Sequence, residues 1–141
     1  VLANAAMDSA DTVEGMEYNE HIQEALSHEA SELAFLEGVT QRVTSALGDT
    51  PVALTSVDEF SGELPFQGWG EAGELWWYFR YRGDRARLSV GRRDPASVVV
   101  IDVRFEAVRG GVYGDPLRGW LEEDEAEALL IDLWRNLSPV G

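Results

Sequence analysis

Neither cysteine nor lysine occurs in this 141-residue chain. The first absence removes disulfides, thiolate nucleophiles and cysteine-ligated zinc or iron–sulfur centres, and leaves the redox compartment unreadable. The second removes Schiff-base chemistry on a lysine. No stretch approaches the ~18 consecutive apolar residues of a membrane span. The first residues, Val1 to Met7, lack the basic leader and long apolar run of a signal peptide, so a cytoplasmic location is the default reading. Internal repeats, low-complexity tracts and a G-x-S-x-G nucleophile elbow are also missing. No acid/base pair stands out among the 26 carboxylates. Together these absences point to a protein with no catalytic activity, no cofactor and no metal.

What the chain does have is charge, and the charge is segregated. Acids outnumber basic residues 26 to 11, for a formal net charge of −15. Residues 1–75 carry −14, residues 76–118 carry +4 and residues 119–141 carry −5. Nine of the 11 arginines fall between Arg80 and Arg118. A net charge this negative repels nucleic acid and anionic membrane over a Debye length of about 8–10 Å. Direct DNA binding and membrane association are therefore not expected, and the natural partner is a protein with a basic surface. An apolar fraction of 45% with five Trp supports a packed core rather than disorder. The length fits one domain, since domains typically run ~100–200 residues.

Residues 1–16 are small, acidic and interrupted by Gly15, and read as a flexible acidic arm or frayed helix start. A single α+β domain is expected over 17–141. From Glu17 to Leu47 the pattern predicts one long helix, ended by Gly48 and Pro51. Ile22, Leu26, Leu33, Leu36, Val43 and Leu47 fall within an arc of roughly 100°, and Phe35 and Val39 widen it. That width suggests two contacting layers, or a homodimer formed through this helix. Val52–Val57 reads as a strand and residues 60–73 as a Gly-rich aromatic loop. Leu75–Arg82 and Arg85–Val90 form a hairpin closed by Gly83-Asp84 in the II′ geometry. Val98–Val108 is the longest expected strand, with Val112-Tyr113 as an extension. Leu121–Leu137 closes the chain as a helix with acids in its first turn, where they favour the macrodipole. Its core stripe is Ala126, Leu129, Leu130, Leu133 and Leu137. The expected fold is a long N-terminal helix, one antiparallel meander of about four strands, and a C-terminal helix packed on the sheet.

The hairpin carries the strongest functional signal. With Gly83-Asp84 as the turn, Trp77 faces Val90, Phe79 faces Leu88 and Tyr81 faces Ala86 on one side. The other side presents Arg80 with Arg87, Arg82 with Arg85, and Tyr78 with Ser89. A slip of one residue would bury the arginines, so the alternation fixes the register. One face should thus offer Arg80, Arg82, Arg85 and Arg87 beside Trp76 and Tyr78, an anion-binding platform with aromatic flanks. The competing reading is internal neutralisation, with Arg87 near Asp102, Arg104 and Glu106 on the same face, and helix carboxylates covering the rest.

Other signals are weaker. Gly68-Trp69-Gly70-Glu71-Ala72-Gly73 matches G-x-G-x-x-G by letters, but no helix follows to receive a pyrophosphate. Arg82-Gly83-Asp84 is ordinary turn chemistry. His21 and His28 share a helix flank with Glu17, Glu24 and Glu32, but a metal site needs ligands converging from more than one element. Glu29 sits inside the apolar arc and is expected to pair with a sheet arginine or to lie open to water. The leading functional reading is a small acidic protein-binding module of the inhibitor, immunity or chaperone type. A nucleic-acid mimic, an anion-binding protein using the arginine face, and a phage or other assembly component are the alternatives.

Overall fold

The computed structural model describes residues 2–62, 65–111 and 121–141, with side chains from residue 19 onward. The chain divides into two compact units, residues 1–35 and 36–141. Helix α1 spans Leu2–Leu47, starting well before Glu17. Gly15 lies inside it; one interior glycine costs only ~1 kcal/mol relative to alanine, and Ala3, Ala5, Ala6, Met7 and Ala10 are good helix formers.

In the first unit every side chain from Asn19 to Ala34 is exposed. Ile22, Leu26 and Leu33, read as part of the apolar arc, are 38%, 58% and 61% exposed. Glu29 is exposed as well, and no ion pair among the described residues includes it, so the expected arginine partner is absent.

The second unit opens with the last turns of α1, where Val39 and Val43 are fully buried. It continues through β1 (Glu59–Ser61), β2 (Phe66–Ala72), β3 (Leu75–Arg82), β4 (Arg85–Arg93), β5 (Val100–Arg109), helix α2 (Glu123–Arg135) and β6 (Ser138–Pro139). These strands form one antiparallel sheet in chain order, six strands where about four were expected. The class is α+β, as read from the sequence. Val112-Tyr113 lies outside the described residues.

Two segments exchange roles relative to expectation. Val52–Val57 is a connecting segment: Thr55 and Ser56 N–H both donate to the Glu71 carbonyl, at 2.9 and 3.2 Å. Residues 66–72, read as loop, are strand β2. Its glycines are spatial necessities. A Cβ at Gly70 would lie 2.1 Å from the Ser56 carbonyl oxygen, and one at Gly68 would lie 2.5 Å from the Phe60 ring.

The inner face of the sheet holds Trp77, Phe79, Tyr81, Ala86, Leu88 and Val90, all fully buried. Against it pack Ala126, Leu129, Leu130, Leu133 and Trp134 of α2; Trp134 takes the place expected for Leu137, which lies beyond the helix end. Trp77 and Trp134 meet edge to face, with centroids 6.1 Å apart. Their indole N–H groups donate to Ser56 and Val52 carbonyls at 2.9 and 2.8 Å, so neither buried donor is left bare. Phe60, Phe66 and Phe79 form a second cluster, the first two 4.8 Å apart. Among the described residues no helix is long and apolar enough to cross a membrane.

Candidate functional site

The hairpin of β3 and β4 has the register its alternation predicts: Tyr78 opposes Ser89, Arg80 opposes Arg87, and Arg82 opposes Arg85. Gly83 has a φ of 63° and, among the described residues, no non-glycine residue has positive φ, so Asp84 does not; this is the II′ pattern. Energetics make this register the stable one. Burying one unpaired guanidinium costs several kcal/mol, more than the ~1.5–3 kcal/mol gained by burying any single apolar side chain instead.

Strand β5 supplies the third wall. Val108 stands opposite Arg87 and Glu106 opposite Ser89. The pairing then shifts between Val90 and Gly91, so that Gly91 faces Val103. A side chain at Gly91 would lie 1.9 Å from the Asp102 carbonyl oxygen, so the bulge needs glycine there.

The outer face of these strands forms an open cavity of about 470 Å³. It is polarised along its length. Arg80, Arg82, Arg85 and Arg87 form one end; Tyr78, Ser89 and Glu106 form the middle; Val99, Val100 and Val103 form the other end. All four arginines are exposed. The ion pairs of the second unit join Arg42 to Glu127, Arg104 to Asp102 and Arg109 to Asp132. None involves the four cavity arginines, so among the described residues no carboxylate lies within ion-pair distance of them.

The expected closeness of Arg87 and Asp102 is corrected by the register. Asp102 faces Arg92, and its carboxylate bonds Arg104 at 3.0 Å, which holds it below the usual aspartate range. The bulges at Val90/Gly91 and Arg92/Arg93 shift it away from Arg87.

Five of the six expected site residues line this cavity; Trp76 does not. Its ring is 8% exposed, its indole N–H donates to the Val98 carbonyl at 2.7 Å, and the Arg93 guanidinium lies 4.6 Å from the ring centroid. It braces the 93–98 turn instead of offering a stacking face. Trp69 takes the aromatic place beside the site, stacked on Tyr78 at 6.4 Å and 12°. Burial pushes the Tyr78 phenol above its usual range, with Arg80 opposing in part, and the hydroxyl donates to Gln67 Oε1. Glu106 lies on the arginine face, where alternation along β5 places it; the valine end has no such signature, because the bulge interrupts the alternation.

The remaining candidates acquire structural roles. His28 pairs with Glu32 at 3.2 Å on an exposed helix face, and among the described residues no group of three or more His, Asp or Glu could hold a metal. The glycine-rich stretch is the core of strand β2 and opens no helix. A cavity of this size falls in the ~300–1,000 Å³ range of ligand sites, and it places four guanidinium groups, which suit an anion, at the opposite end from three valines. Comparison with protein-family models, with curated proteins and with solved structures finds no match for this chain.

Proposed function

We propose that this chain is a non-catalytic binding module that recognises a partner protein through the arginine cleft. One observation carries the reading: four exposed arginines stand in two directly opposed pairs, with no carboxylate at ion-pair distance among the described residues. Opposed like charges destabilise a hairpin by roughly 0.2–1 kcal/mol per pair. The chain has 26 acids, yet among the described residues none lies at ion-pair distance from these four arginines. A bound anion supplies the missing charge. The net charge of −15 requires that this anion be local, such as an acidic segment on an otherwise neutral or basic partner, because an extended polyanion meets repulsion from the rest of the chain. No side chain in the cleft forms a nucleophile–base pair, and binding alone accounts for its composition.

The test is retention of a partner from nuclease-treated host lysate by immobilised wild type and by the double variant Arg80→Glu, Arg87→Glu. The variant is expected to keep its circular dichroism spectrum and lose a protein that wild type retains. Equal retention by a folded variant would sink the proposal.

A further inference from the structure

Resting on that binding reading, we infer that the cleft recognises an extended segment of its partner with carboxylates on two alternate residues, then an uncharged residue, then an apolar one, all on the same face. The spacing of the arginines leads to this pattern. Same-face residues along a strand repeat at about 6.6–6.8 Å; Arg80 and Arg82 on β3, and Arg87 and Arg85 on β4, are such neighbours. Across the hairpin, opposed Cβ atoms are ~4.5–5.5 Å apart. The quartet is therefore two pairs, and each pair brackets one carboxylate between two planar guanidinium forks. An extended ligand repeats its own same-face side chains at the same ~6.6–6.8 Å, so carboxylates on residues i and i+2 fall in step with both pairs.

The shape of the cleft favours an extended chain over a helix. From Arg85 to Gly91 the rows cover six residue-to-residue steps, or ~20 Å. A volume of about 470 Å³ spread over that length accepts a row of side chains, whereas a helix is ~10–12 Å across.

The next two rows set the rest of the pattern. Ser89 and Glu106 face each other beside Tyr78, so a third acid on the ligand would meet the Glu106 carboxylate. An uncharged residue there avoids the repulsion. Beyond it Val99, Val100 and Val103 form the apolar end, with Val99 itself 43% exposed and ready to be covered. The sequence Glu-x-Glu-x-Ser-x-Val satisfies all four rows.

The experiment compares capped peptides on the full chain by isothermal titration: Glu-Gly-Glu-Gly-Ser-Gly-Val, its isomer Glu-Glu-Gly-Gly-Ser-Gly-Val, and a variant with Glu in place of Ser. A single-stranded RNA of matched charge is the fourth ligand. The alternating peptide is expected to bind at least tenfold more tightly than the block isomer at low salt. Arg80→Glu with Arg87→Glu should abolish that binding, and Glu106→Gln should restore affinity for the three-acid peptide alone. Equal affinity for the alternating and block peptides overturns the spacing inference and leaves the acidic-segment cleft standing. No binding of any acidic peptide overturns both. Tighter binding of the RNA than of the alternating peptide overturns the peptide assignment in favour of a nucleic-acid ligand.

Discussion

At the level of single residues, Tyr78 and Arg42 show how the same kinds of group serve different ends. Tyr78 is held neutral by burial, which outweighs the attraction of Arg80 for its anion. Its folded pKa therefore lies above the ordinary value of about 10. The native state keeps a proton that the unfolded chain releases, so this contribution is intact below pH ~10 and is lost as pH rises through the folded value. Urea midpoints measured from pH ~9 to ~11 should fall more steeply for wild type than for Tyr78→Phe. Parallel slopes would assign the alkaline loss to another group. Arg42 instead faces a partner: its Nε and Nη2 reach the Glu127 carboxylate at 3.0 and 2.5 Å, and that hydrogen bond raises its pKa. The pair joins the end of α1 to α2, but Arg42 is half exposed. Glu127→Ala should therefore lower stability by only ~0.5–1.5 kcal/mol, read from the denaturation midpoint. A loss above ~3 kcal/mol would mean that Glu127 holds more than this one contact.

Among the elements, the β3–β4 hairpin was legible because two independent patterns agree there. A Gly-Asp turn sets the pairing, and strict alternation makes any slip costly. Neither cue exists for β4–β5, where two bulges shift the register, so the expected meeting of Arg87 and Asp102 fails while Glu106 lands in the cleft. Strand β2 was hidden for another reason. Glycine weakens strand propensity, yet Gly68 and Gly70 are required because Phe60 and the Ser56 carbonyl occupy the space a side chain would need. Gly70→Ala should accordingly cost ~1–3 kcal/mol by overpacking, despite alanine's smaller backbone entropy loss. A neutral or stabilising result would show that the segment around Ser56, ahead of β1, yields easily. The arginine pairs predict the opposite sign. Replacing Arg80 and Arg87 with threonine exchanges a repulsive cross-strand pair for a favourable one and should raise stability by up to ~1 kcal/mol. The same double substitution should remove binding of the alternating acidic peptide. A stability loss instead would mean that the guanidinium stems, not their charges, hold the outer face together.

On the scale of the whole molecule, the N-terminal periodicity was read correctly as helix, but its apolar arc is buried only toward its C-terminal end, at Val39, Val43 and Leu47. An apolar arc reports which side chains share a face, not what covers them, and Ile22, Leu26 and Leu33 are exposed. The physical difference between the units follows from burial. Residues 19–34 contribute no buried side chain, and helices without tertiary packing are marginal in water. The second unit holds the hydrophobic core and all five Trp of the chain. Local opening should therefore cost little in the first unit and approach the global unfolding free energy in the second. No Lys or Arg precedes Arg42, so trypsin has no site there, but Glu20, Glu24, Glu29 and Glu32 are exposed targets for a glutamate-specific protease. Limited digestion should cut at these positions first. The remaining fragment should keep its tryptophan emission and its unfolding midpoint to within ~0.5 kcal/mol, because no core residue has been removed. If those bonds are cleaved only as the tryptophan signal collapses, the two units unfold as one.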